Sequence, residues 1–270
     1  MANTQSNHRQ SAFYGWQPDL PDKRDLMYAA PMPVLASLPP KIDLRSACPK
    51  TVYNQGQLGS CTANAIAGAF EFELLKQKAP DFMPSRLFIY YNERAIENTI
   101  NTDSGAQIRD GMKSVGSQGV CPESMWPYNI NEFTEKPHLA CYTDALKHLV
   151  TSYHRITVDL AQMKSCLAEG YPFVFGFTVY ESFEGPQIEK TGIMPMPAKT
   201  EKVVGGHAVM AVGYDDEQQM VIVRNSWGGD WGQKGYFMMP YAYISDTQYT
   251  DDFWTIRIVA ANPAIEQETK

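Results

Sequence analysis

A cysteine, a histidine, an asparagine and a glutamine are the residues here whose types and settings point to chemistry. Cys61 ends a glycine-punctuated loop, Asn54-Gln55-Gly56-Gln57-Leu58-Gly59-Ser60-Cys61, after which the composition turns at once to helix. Ile66, Phe70 and Leu74 recur at a helical period, with Ala67 and Leu75 flanking the same stripe. A thiol at the first turn of a helix meets unpaired N–H groups and the positive end of the dipole, which favour the nucleophilic thiolate. A lone cysteine there is more often just a small hydrophobe, but two later stretches alter that reading. Gly205-Gly206-His207-Ala208-Val209-Met210-Ala211-Val212-Gly213-Tyr214 opens an apolar strand with a histidine. Arg224-Asn225-Ser226-Trp227-Gly228-Gly229-Asp230-Trp231-Gly232 runs from a strand end into a Gly/Trp turn. A thiolate, a base that exchanges its proton and a third group that orients the base together make an activated nucleophile for acyl transfer. Taken singly, His207 reads as a core histidine, Gln55 as a loop residue, and Asn225 and Trp227 as turn and packing residues. Their joint order carries the catalytic reading.

The motifs Gln-Gly-x-x-Gly-Ser-Cys, Gly-His-Ala-Val-x-x-Val-Gly-Tyr and Asn-Ser-Trp-Gly-x-x-Trp-Gly stand in the order and spacing of papain and the cathepsins. From about Leu38 to about Ile258 the chain resembles the papain-like cysteine peptidases. The resemblance implies an α+β fold of two lobes, one helical and one an antiparallel β-barrel, with the active-site cleft between them. It implies Cys61 as nucleophile, His207 as its partner in a stored thiolate–imidazolium pair, and Asn225 as the acceptor that orients the ring. Gln55 and the Cys61 backbone N–H become the oxyanion donors. Trp227 covers the His–Asn hydrogen bond, Gly105 pairs with substrate backbone, and Gly206 and Ala208 line the substrate cleft. A residue between Tyr241 and Asp246 is expected to close the pocket for the second residue before the scissile bond. The chain departs from the family at Leu58, where secreted members carry a disulfide cysteine, at Thr62, which replaces an aromatic residue, and at Ser104-Gly105-Ala106, which replaces a double glycine after a cysteine. The expected activity is peptide-bond hydrolysis through an acyl-enzyme, with a polypeptide as partner and no cofactor or metal. Acyl transfer to another amine, or peptide binding without turnover, are the competing readings.

Positioning these residues takes helices first and strands second, the order of an α+β fold. Helices are expected over Thr62–Lys78, from Pro84-Ser85 onward, over Gly105–Ser117 and over Leu139–Val150. In the second of these Leu87, Phe88, Tyr91 and Ala95 face inward, and Glu93, Arg94 and Glu97 face outward. Strands are expected over Tyr153–Val158, Phe173–Tyr180, His207–Tyr214, Met220–Asn225, Gly235–Met239 and Phe253–Val259, with a short helix capped by Asp159 and ended by Gly170. Glu184–Lys202 reads as a long surface loop. The lobes divide as 38–150 and 151–270, preceded by a proline-punctuated extension, 1–37. Within the extension Phe13, Tyr14, Trp16, Leu20, Met27 and Tyr28 are apolar anchors. It is expected to pack on the peptidase and to cover part of the cleft, as a zymogen segment would.

The net charge of −7 argues against nucleic acid or an anionic membrane as the main partner. No apolar run reaches the ~18 residues of a spanning helix. A monomer is expected. The polar start has no signal core, which points to the cytoplasm unless a signal has been removed. Beyond Cys61, four cysteines (Cys48, Cys121, Cys141 and Cys166) leave three pairings open.

Overall fold

The computed structural model describes residues 14–260. Phe13 and the residues before it lie outside that range. A two-residue strand β1 (Trp16–Gln17) and a single helical turn α1 (Met32–Leu35) come first. Strand β2 (Lys41–Asp43) follows, and then the long helix α2 (Cys61–Gln77). Fourteen residues of α2, Cys61 through Leu74, are buried, because the helix is wedged between the two lobes rather than lying on a surface. Ala63, Ala65, Ala67, Gly68 and Ala69 keep it thin enough for that place. Lys78, at φ 55°, ends it in the left-handed region.

Helix α3 (Arg86–Glu97) starts at Ser85, whose side chain accepts from the Phe88 N–H. Its polar side is not solvated as the periodicity suggests. Glu93 and Arg94 are fully buried: Thr62 Oγ1 donates to Glu93 (2.8 Å), and Arg94 donates to the carbonyls of Ile100, Thr102 and Phe133. The third helix is shorter than expected. Strand β3 (Ala106–Gln107) precedes α4 (Ile108–Ser117), because Gly105 and its neighbours form an extended cleft wall. Helix α5 (Leu139–Ala145) likewise stops early, and strand β4 (Val150–Ile156) takes up the chain.

The second lobe adds helix α6 (Leu160–Ala168), strand β5 (Phe173–Tyr180), helix α7 (Pro186–Thr191) and strands β6 (Val203–Asp215), β7 (Met220–Arg224) and β8 (Tyr236–Pro240). Helix α8 (Tyr241–Ile244) and strand β9 (Thr250–Val259) complete it. The sheet runs β4-β9-β5-β6-β7-β8, antiparallel throughout, with β2 added to β6. Asp159 caps α6 through the Gln162 N–H, as expected. The stretch expected as a surface loop instead holds α7, and its Ile188 and Met194 are buried in the core of this lobe. All five cysteines are free and buried.

Two connections bring the chemistry together. The loop before α2 pairs with the turn after β7: the Gln55 N–H donates to the Ser226 carbonyl (2.9 Å), and the Gly228 N–H to that of Tyr53 (2.9 Å). β6 also packs along α2, so a strand of one lobe meets the helix of the other.

Candidate active site

Cys61 is the first residue of α2, and the backbone N–H groups of Ala208, Gly15 and Thr62 point at its sulfur. His207, on β6, precedes the Ala208 that reaches this sulfur. Its Nε2 lies 2.8 Å from Asn225 Oδ1, just past the end of β7. That oxygen also accepts from the Ser226 N–H (2.8 Å), so it is an acceptor, and the ring proton belongs on Nε2. Nδ1 then carries a lone pair and makes no hydrogen bond among the described residues. Trp227 stacks on the ring (5.1 Å, 23°), while Phe177 and Tyr14 meet it edge-on.

Gln55 is fully buried. Its Oε1 accepts from Ser226 Oγ (2.6 Å) and its Nε2 donates to the Leu58 carbonyl (3.0 Å), which fixes the amide plane beside the start of α2. Ala208 is buried and presents its N–H to Cys61. Among the described residues no group of three His, Cys, Asp or Glu side chains could hold a metal ion.

The extension runs through this site. The Gly15 carbonyl accepts from the Ala106 N–H (2.8 Å), and β1 lies parallel to β3 with Trp16 opposite Ala106. Tyr14 packs against His207 and Trp227 and donates to Glu184 (2.8 Å). Gly15 threads between Gly59 and Gly105: a Cβ on Gly15 would lie 1.7 Å from the Gly59 oxygen, and one on Gly105 would lie 2.0 Å from the Gly15 oxygen. Gly105, at φ +74°, therefore leaves room on the cleft wall, while the hydrogen bond itself comes from Ala106. Gly206 does the same farther along, since its Cβ would lie 2.7 Å from the Trp16 carbonyl oxygen. Beyond Trp16, Asp19 and Asp25 are gripped by Arg109 and Arg155, and Tyr28 bonds to Glu169 (2.6 Å). Leu20 and Met27, expected as anchors, are exposed; polar contacts hold this part of the segment instead.

Covered in this way, Cys61 and His207 have no solvent exposure. Burial pushes the Cys61 thiol up to about 11 against its three N–H donors, and burial pushes His207 down to about 4 against the Asn225 hydrogen bond. Burial thus disfavours the charged form of each side chain in the closed site. The segment keeps out the water that separated charges need.

A model described as papain family cysteine protease matches residues 38–251. The chain belongs to the papain family. A peptidase C1-like protein of Acanthamoeba polyphaga mimivirus, described as uncharacterised, is 44% identical over 270 aligned residues, covering 91% of this chain and 87% of its own. The crystal structure of xylellain, a cysteine protease from Xylella fastidiosa, shares 49% identity at TM-score 0.87 over 91% of this chain and 96% of that one. Mouse pro-cathepsin H is 28% identical over 70% of this chain, which spans 55% of that longer protein.

Of the stretch expected to supply the residue that closes the pocket near Ala208, Tyr241, Tyr243 and Ile244 are buried in the core of the second lobe, while Ala242 and Ser245 are exposed. Asp252 on β9 reaches the segment. Asp252, Gly176 and Gly15 escape a reading of the sequence because each acts through contacts with residues far away in the chain. The one local trace is the Tyr14-Gly15-Trp16 run, with a glycine between two aromatics.

Proposed function

We propose that this papain-family protease hydrolyses polypeptides through Cys61, His207 and Asn225, and that its own residues 14–37 hold it inactive until they are displaced. The observation that carries the proposal is the Gly15 backbone lodged between Gly59, two residues before Cys61, and Gly105 on the cleft wall. In the open enzyme, His207 Nδ1 takes the Cys61 proton and the thiolate attacks a substrate carbonyl carbon. The oxygen gains charge, and the Cys61 N–H and a Gln55 Nε2–H, the one not given to Leu58, receive it. The imidazolium gives its proton to the departing amine as the C–N bond breaks, leaving a thioester. Water, deprotonated by His207, then attacks the thioester; the C–S bond breaks and the acid leaves. Asn225 keeps the ring in the tautomer that this sequence requires.

The Gly15 N–H faces the Cys61 sulfur, and the Gly15 carbonyl is taken by the Ala106 N–H of the cleft wall. Peptide turnover by the full chain after displacement of the segment, abolished by Cys61→Ala, supports the proposal. Displacement that exposes Cys61 to a thiol reagent without any turnover would leave only a peptide-binding relative. Faster product formation in the presence of an added amine, with the amine incorporated, would identify an acyl transferase.

A further inference from the structure

Trp16 sits in a flat slot made by the absence of two side chains. A Cβ on Gly176 would fall 2.0 Å from the indole Cε2, and one on Gly206 would fall 2.9 Å from Cε3. At the floor, Trp16 Nε1 donates to Asp252 Oδ2 (3.0 Å). Asp252 is placed there deliberately by the sheet. The β5–β9 register steps from Val174↔Trp254 to Gly176↔Asp251, so Asp252 is the extra residue of a bulge, at φ +59° and with no exposure. Its Oδ2 has a second donor in the Asp19 N–H (2.7 Å), and its Oδ1 accepts from Arg155 (2.8 Å).

We infer that this slot is a substrate subsite in which Asp252 selects a tryptophan side chain, an inference that rests on the peptidase reading above. When the segment leaves, Oδ2 loses both Trp16 Nε1–H and the Asp19 N–H, while Oδ1 keeps Arg155. Water meets Oδ2 in the opened slot; a side chain that covers the slot without a donor strips that water and leaves the carboxylate oxygen unpaired, whereas an indole N–H replaces it. The glycine walls admit a wide planar ring. A cation is not favoured, because Asp19 and Asp25 depart with the segment and leave Arg109 and Arg155 opposite Asp251 and Asp252, with no net negative charge. Phenylalanine fills the slot but brings no donor. Tryptophan supplies both.

The test uses the full chain carrying Gly15→Ala, which unseats the segment, and Trp16→Ala, which removes the occupant. Peptides from a digested proteome are cleaved and the sites read by mass spectrometry. Tryptophan should be enriched at one position within two residues of the cleaved bond. Matched substrates with Trp or Phe at that position should differ about tenfold or more in kcat/KM, the discrimination of a site built around a hydrogen bond. Asp252→Gly, which suits the left-handed backbone, should bring the Trp:Phe ratio to within about threefold, and Asp252→Asn, which keeps an acceptor, should retain part of it. Equal cleavage of Phe, Leu, Arg and Trp peptides, or an unchanged ratio in a folded Asp252→Gly, overturns the inference while leaving the peptidase reading intact. Cleavage of no peptide at all removes both. The Trp–Phe comparison uses a single enzyme, so it decides the matter even if the Asp252 variants do not fold.

Discussion

Replacing Gly15 with alanine should switch the full chain on. The added methyl would sit 1.7 Å from the Gly59 oxygen and 2.4 Å from its carbonyl carbon, and backbone atoms cannot yield as a flexible side-chain end can. The segment must back off by on the order of 1 Å, because interiors are close-packed and no void lies there to absorb the overlap. Retreat stretches the Gly15–Ala106 hydrogen bond (2.8 Å) and lifts the Gly15 N–H from the Cys61 sulfur. Overpacking of this kind costs ~1–3 kcal/mol. The cost falls on the closed state alone, since the open segment meets no obstacle. At 1.4 kcal/mol per factor of ten, the open fraction rises about 5- to 150-fold. Only the open form turns over, so the initial rate on a short fluorogenic peptide should rise by the same factor until the open form predominates. Gln17→Ala, which removes only an exposed hydrogen bond to the Ser104 carbonyl (3.1 Å), should raise the rate far less. Titration with a thiol-directed inhibitor fixes the number of competent sites in each sample. Equal initial rates for Gly15→Ala and the parent, with equal titratable sites and unchanged Tm, would refute the inhibitory placement of the segment.

Three further outcomes follow from the same geometry. A thiol-directed epoxide should add once, at Cys61, and faster in Gly15→Ala than in the parent; peptide mapping that finds it on Cys48, Cys121, Cys141 or Cys166 would remove Cys61 as nucleophile, and Cys61→Ala should abolish turnover with the fold intact. Gln55→Ala, assayed in the Gly15→Ala background, should lower kcat by roughly 10²- to 10³-fold with little change in KM, as loss of one oxyanion donor does; a near-parental kcat would take Gln55 out of the mechanism. Thermal stability should decline as pH rises from 5 to about 8. Burial holds Glu71, Glu73, Glu97 and Asp252 up at about 7, so the folded chain binds protons that the unfolded chain has released, and the stability they contribute is lost as pH rises through 7. His207, lowered to about 4, and His148 and His154, also lowered by burial, act in the opposite sense below the ordinary histidine value, but the four carboxyl groups outnumber the three rings; a Tm that climbs steadily across this window would refute the assignment.

The sequence by itself determined the family and the α+β order of elements, and it singled out the candidates for the chemistry. Each of these is written locally: Cys61 at a loop-to-helix junction, His207 at the start of an apolar run, Asn225 beside a Gly/Trp turn. Short-range pattern also located α2 and the strands from Phe173 to Val259 to within a few residues. Only the tertiary structure decided what depends on distant partners. Glu93 and Arg94 fall on the polar side of the helical pattern yet are buried, because Thr62 and the 99–103 and Phe133 backbone supply partners that no helical period encodes. How strongly burial disfavours charge on Cys61 and His207 depends on whether water reaches them, and so on where Tyr14, Gly15 and Trp16 lie. Composition marked the extension as too apolar for a free tail, but its path needs the gap between Gly59 and Gly105 and the grip of Arg109, Arg155 and Asp252. Charges and cavities are properties of what surrounds a residue, and for this segment the surroundings come from both lobes at once.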